Sequence, residues 1–147
     1  MTCLRSAGAQ IIMKKQKTFK EASQSGLLIR HEFLNFSIPG HGQVPMKAMI
    51  DMHVDPFKIQ AEKVRDLGFS LYVKRAKVGQ SKHVRVRARF DQWLIRGEIE
   101  IISPAITYEI LERMFDAAGR VGLGDWRPGC KTPGPFGMFS STLTKAT

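Results

Sequence analysis

Hydrophobic and polar residues alternate most regularly in the second half of the chain. In KHVRVRARF (82–90), Val84, Val86, Ala88 and Phe90 fall on one side and Arg85, Arg87 and Arg89 on the other. QWLIRGEIEII (92–102) repeats the period, with Trp93, Ile95, Gly97, Ile99 and Ile101 in phase. GFSLYVKRAKVG (68–79) reads as a further strand with a basic end. A period of two sends successive side chains to opposite faces of a strand, so each run predicts a sheet with one apolar and one polar side. Ser103-Pro104 then stands in helix-opening order, a hydroxyl N-cap followed by proline. Ile106, Ile110, Leu111, Met114, Phe115 and Ala118 recur at helical spacing and predict one buried stripe, with Gly119 placed to end the helix. A Gly- and Pro-rich loop (119–135) and a last strand, FGMFSSTL (136–143), complete this half.

The first half is less patterned. Residues 1–25 are polar and basic and predict a flexible N-terminal arm, with a short helix around Lys14–Ala22. LLIRHEFLNFSI (27–38) is apolar and partly alternating, compatible with a strand or a short helix. PGHG (39–42) signals a turn. Residues 45–66, opening on Pro45, predict two short helices broken near Asp55-Pro56. The expected organisation is the arm at 1–25 and a single α+β domain at 26–147. Strand, strand, helix, Gly-rich loop, strand is the order of a split, ferredoxin-like arrangement, an antiparallel sheet with a helix on one face.

The chain has 147 residues, 43% of them hydrophobic, enough for a packed core. No apolar run reaches the ~18–20 residues of a membrane span. In MTCLRSAGAQIIMKKQK the lysines follow Ile11-Ile12, the reverse of a secretory signal. The reading is a soluble protein of the cytoplasm with no membrane partner. Cys3 and Cys130 form no CxxC pair and read as reduced thiols.

Charge changes the picture more. The net charge is +10, from 23 Lys and Arg against 13 Asp and Glu, which favours a polyanionic partner. No acidic residue occurs between Asp66 and Asp91, where Lys74, Arg75, Lys77, Lys82, Arg85, Arg87 and Arg89 all lie. If Asp91-Gln92 were a hairpin loop, Phe90 would face Trp93, Ala88 Ile95, Val86 Gly97 and Val84 Ile99. On the other face His83 would meet Glu100, Arg85 would meet Glu98, and Arg87 would meet Arg96. Cross-strand pairing would then neutralise Arg85 and leave Arg87, Arg89 and Arg96 crowded together. Asp-Gln is not a favoured two-residue turn, and a slip of one residue would change every pair. Clustered arginines on a sheet face suit a phosphodiester backbone, and His83 and Tyr72 could stack on bases.

AAGRVGLGDWRPGCKTPGPFGMF (117–139) carries Gly119, Gly122 and Gly124. A dinucleotide fingerprint follows a strand and opens a helix; here a helix comes first, and no P-loop GKS or GKT occurs. Two readings stay open. The glycines turn the chain, or Gly122, Gly124 and Arg127 present backbone N–H groups and charge to a phosphate.

VKRAKVGQSKHVRVRARFDQW, EIEI, AAGRVGLGDWRP and the closing FGMF resemble a family of uncharacterised proteins encoded by bacteriophages and prophages. The likeness covers roughly residues 72–139. Ala88 stands where that family often has Pro, Met138 where it has Arg, and Gly129–Pro135 extends the loop. Element order is also similar to the RAMP-type RNA-binding proteins of CRISPR effector complexes, which would imply a ferredoxin-like core. Through that likeness His83 or His31 would be the histidine available as a general base.

Asp51, His53 and Asp55 in DMHVD line one face of a strand but scatter round a helix. No Ser-His-Asp or Cys-His arrangement can be assembled, and no cofactor is implied. The chain reads as non-enzymatic: a phage or prophage protein that binds single-stranded DNA or RNA. The binding residues would be Lys74, Lys77, Lys82, His83, Arg85, Arg87, Arg89 and Arg96, joined by Gly122, Gly124 and Arg127. The alternative is a structural or assembly protein of a phage particle. A homo-oligomer fits either reading.

Overall fold

The computed structural model describes residues 2–13, 17–31, 34–44, 65–79 and 81–146. In chain order these form α1 (Thr2–Gly8), α2 (Lys20–Ser25), β1 (Leu27–Ile29), β2 (Asn35–Ile38), β3 (Gly42–Gln43), β4 (Ser70–Val78), β5 (Ser81–Arg89), β6 (Leu94–Arg96), β7 (Ile99–Ile101) and α3 (Tyr108–Val121). The class is α+β with small antiparallel sheets. The chain divides into two compact units, one of Met1–Arg30 with Glu98–Thr147, the other His31–Gly97.

In the first unit α3 supplies the buried stripe. Leu111, Met114, Ala117, Ala118 and Val121 are buried, and Ile110 and Phe115 are half-buried beside them. The helix starts later and ends later than its sequence signals. Thr107 is extended (φ −81°, ψ 169°), and its hydroxyl accepts the Ile110 N–H at 3.4 Å. Ser103 instead organises one turn: its hydroxyl accepts the Ala105 N–H at 3.3 Å and its carbonyl the Ile106 N–H at 3.1 Å. Gly122, at φ +80°, ends the helix in the left-handed region that glycine tolerates. Gly119 lies inside α3 because the returning chain crosses it there. A Cβ at Gly119 would collide with the Phe139 carbonyl oxygen, and the Phe139 N–H donates to the Gly119 carbonyl at 3.3 Å.

Two further differences concern the ends of the chain. Residues 1–25, expected as a loose arm, contribute α1 and α2, and Leu4, Ala7, Ile11 and Phe19 are buried with Leu27, Ile106, Leu111 and Met114. Leu4, Ala7 and Ile11 fall at i, i+3 and i+7, but helices of 7 and 6 residues are too short to hold without the long-range packing that buries them. Gly8 permits the close approach of α1 to α2, since a Cβ there would lie 2.7 Å from the Ser23 hydroxyl. Residues 136–143 join no strand; Phe139 and Leu143 pack on the core, and the Tyr108 hydroxyl donates to the Leu143 carbonyl at 2.8 Å. β1 pairs antiparallel with β7, Leu27 opposite Ile101 and Ile29 opposite Ile99.

The second unit holds a three-stranded sheet, β3-β2-β6, and a separate ribbon, β4-β5. Its core is Ile38, Val44 and Phe69, with Phe36, Leu67, Leu71, Ala88 and Phe90 against them. Phe90 meets Phe36 edge-on at 4.7 Å between ring centroids and Phe69 at 5.1 Å, and Trp93 stacks on Phe36 at 6.3 Å.

The described strands thus form three small sheets, and the hairpin expected between 82–90 and 92–102 is not made. β5 pairs with β4, β6 pairs with β2, and the 92–102 run is split between the two units. The turn chemistry accounts for this. Gly79, at φ +62°, supplies the positive φ that a tight hairpin needs, whereas Asp91-Gln92 has no glycine to do so. The helices expected over 45–66 and the DMHVD cluster fall outside the described residues, save Arg65 and Asp66. Among the described residues no helix is long and apolar enough to cross a membrane.

Candidate nucleic-acid interface

The acid-free basic segment folds into the β4-β5 ribbon. Its register runs from Ser70 opposite Arg89 to Val78 opposite Ser81. Residues directly opposite share a face in an antiparallel pair. One face therefore carries Tyr72 with Arg87, Lys74 with Arg85, His83, and Arg89. The other carries Leu71 with Ala88, Val73 with Val86, and Arg75 with Val84. Lys77 and Lys82 are backbone partners near the tip.

The two ends of the ribbon have different surroundings. At the base, Leu71 and Ala88 pack on Ile38, Val44 and Phe69, which anchors the ribbon to the core. Further out, Val73 is 60% exposed and Val84 64%. Lys74, Arg75, Lys82, His83 and Arg85 are exposed as well, and among the described residues nothing lies within 4 Å of where a Cβ on Gly79 would stand. The outer part of the ribbon thus presents both faces to solvent.

The ion pairs differ from those expected. Arg85 lies opposite Lys74, not Glu98, which belongs to the other unit. Glu100, expected opposite His83, holds Arg30 through Nε at 3.0 Å and Nη2 at 2.8 Å. Arg89 binds Asp91 Oδ1 through Nε at 2.8 Å and Nη2 at 2.7 Å, a contact two residues along the chain that strand alternation alone does not suggest. Arg96 is exposed on β6, where it pairs through the backbone with Asn35.

Arg75 extends the expected set of cations. Its position was legible in the alternation of LYVKRAKV, which sets Tyr72 and Lys74 against Val73 and Arg75. It acquires meaning only once β4 and β5 are known to pair.

The glycine loop, with Gly122, Gly124 and Arg127, belongs to the first unit, and the ribbon cations belong to the second. Many of the loop's donors are spent inside it. The Leu123 N–H donates to the Gly137 carbonyl at 2.8 Å, Gly129 to Val121 at 2.9 Å, and Gly134 to Arg127 at 3.2 Å. Arg127 Nη1 donates to the Gly124 carbonyl at 2.8 Å and approaches Cys130 Sγ at 3.4 Å. The Trp126 indole donates to the Pro133 carbonyl at 3.1 Å and meets Phe136 edge-on at 5.6 Å. Trp126 itself sits at φ +54°, a conformation uncommon for a bulky residue and held here by these contacts. Gly124, by contrast, is exposed, and no described residue stands within 4 Å of where its side chain would be.

Cys3 and Cys130 are both free thiols, and no group of His, Cys, Asp or Glu among the described residues is placed to hold a metal ion. No protein-family model matches this chain, and no curated protein or solved structure does either.

Proposed function

We propose that this chain is a nucleic-acid-binding protein of phage or prophage context that works through the basic face of the β4-β5 ribbon, without catalysis. The carrying observation is the concentration of Lys74, His83, Arg85, Arg87 and Arg89 on one face of a ribbon drawn from a segment with no acidic residue. Guanidinium and ammonium groups at strand spacing meet successive phosphates, and each contact releases condensed counterions. Lys74 across from Arg85 raises the positive potential of this face, which favours an anion there. The phage context rests on the resemblance of residues 72–139. The reading requires neither a ferredoxin-like nor a RAMP-like core.

Fluorescence anisotropy with labelled DNA and RNA across a salt series tests it. Binding is expected at low salt, with log affinity falling linearly as log salt rises. Absence of binding at low salt overturns the proposal. A large oligomer in light scattering, unchanged by nucleic acid, would favour an assembly protein whose basic face meets an acidic one.

A further inference from the structure

We infer that the ligand of the ribbon is duplex DNA, entered through its major groove, and not a single strand laid over a sheet. This rests on the nucleic-acid reading above and narrows it.

A single-strand platform needs flat groups on which bases stack. On the ribbon only Tyr72 and His83 qualify. The described Phe and Trp rings of this unit, Phe36, Phe69, Phe90 and Trp93, are engaged with one another in or beside its core. Nor does a single strand account for cations on both faces. Lys74 and Arg85 lie on one, and Arg75 with its neighbour Val84 lies on the other, all exposed. Lys82 adds a further exposed cation to the outer part of β5.

A groove accounts for both features. The major groove of B-DNA is about 12 Å wide and admits a two-stranded ribbon. Beyond the anchored base, Val73–Val78 and Ser81–Val86 run about six residues each, which at about 3.4 Å per residue gives roughly 20 Å, the length of about six base pairs. With Lys74 and Arg85 toward the groove floor, Arg75 on β4 and Lys82 on β5 fall on opposite edges of the ribbon. Each is long enough to reach past its own strand to the phosphate wall on its side. A-form RNA offers no such entry, because its major groove is deep and narrow.

The test compares one sequence as duplex DNA, single-stranded DNA and duplex RNA, using the full chain and the Arg75→Gln/Lys82→Gln variant. Duplex DNA should bind about tenfold tighter than either alternative, as a groove contact worth a good bidentate pair implies. The variant should lower the duplex salt slope by about 1.8, near 0.9 for each lost phosphate. Methylation of guanine N7, an atom of the major groove, should interfere with binding. Equal or tighter binding of single strands or duplex RNA overturns the inference and leaves the nucleic-acid reading standing. So does an unchanged slope, or indifference to N7 methylation. No binding to any of the three overturns both.

Discussion

Lys74 lies directly across from Arg85, cation opposite cation on one face of the β4-β5 ribbon. An opposite-charge pair at such a position contributes roughly 0.2–1 kcal/mol, and a like pair is unfavourable. Arg85→Glu should therefore raise the free energy of unfolding by about 0.5–1 kcal/mol, measured by urea denaturation. The same change should weaken nucleic-acid binding sharply, since it replaces an attraction to the polyanion with a repulsion. A variant more stable and still binding at full strength would show that the ribbon face is only a solvated surface.

The arginines of the row should not be equivalent. Arg89 is already held by Asp91 through two nitrogens, although both side chains are well exposed, at 46% and 66%. Exposed pairs of this kind are worth only about 0.2–1 kcal/mol, so Asp91 competes with a phosphate without excluding it. Arg85 has Lys74 opposite and no such acid beside it in the register. Arg85→Gln should weaken binding about tenfold, the worth of one good contact to the groove floor, and Arg89→Gln should weaken it by less. Asp91→Asn should do the reverse and strengthen binding at low salt. Titrations of the three variants at low salt decide it; equal losses of affinity for the two arginine variants would refute the ordering.

What could be read from the sequence divides along a physical line. Strand and helix periods are local, and the alternation in 82–90 and the stripe through Leu111, Met114 and Ala118 each mark an element that the structure contains. Pairing partners are not local. The alternation of 92–102 is as regular as that of 82–90, yet those residues pair with β1 and β2, and only the glycine at 79 against Asp91-Gln92 tells the turns apart. The burial of Leu4, Ala7 and Phe19 is set by α3 from a hundred residues away, which no window along the chain detects. The cations Lys74, Arg85, Arg87 and Arg89 were legible because charge needs no partner to be seen. Their grouping with Arg75 and Tyr72 required the register.

Gly119 offers a test in which two effects oppose each other. In a helix interior alanine is favoured over glycine by about 0.8–1 kcal/mol. A Cβ at Gly119 would, however, collide with the backbone carbonyl of Phe139, which cannot rotate away as a side chain could. Forcing atoms into such a contact costs typically about 1–3 kcal/mol, and the Phe139 N–H bond to the Gly119 carbonyl would be strained too. Gly119→Ala should therefore destabilise the fold by about 1–2 kcal/mol net, read from the denaturant midpoint. A stabilised variant would mean that the 136–143 segment does not lie on α3.

Thr107 joins stability to pH. Its hydroxyl accepts the Ile110 N–H and is also hydrogen-bonded to Glu109. That hydrogen bond is the main cause that holds the Glu109 carboxyl below its usual range, followed by a backbone hydrogen bond at Glu109; slight burial opposes them, and Lys145 adds a smaller pull downward. A carboxyl whose pKa is depressed by folding stabilises the protein above its unfolded pKa. That contribution is lost as pH falls through the folded pKa. The helix should accordingly weaken below the ordinary carboxylate range. Thr107→Ala should cost about 0.5–2 kcal/mol at neutral pH through loss of the N-cap. It should also flatten the acid limb of stability against pH, because Glu109 then titrates nearer its ordinary value. Thr107→Ser retains the hydroxyl and should restore both. Denaturation of the three proteins from neutral pH down to the acid range checks the coupling, and an Ala variant with an undiminished acid limb would separate Glu109 from the cap.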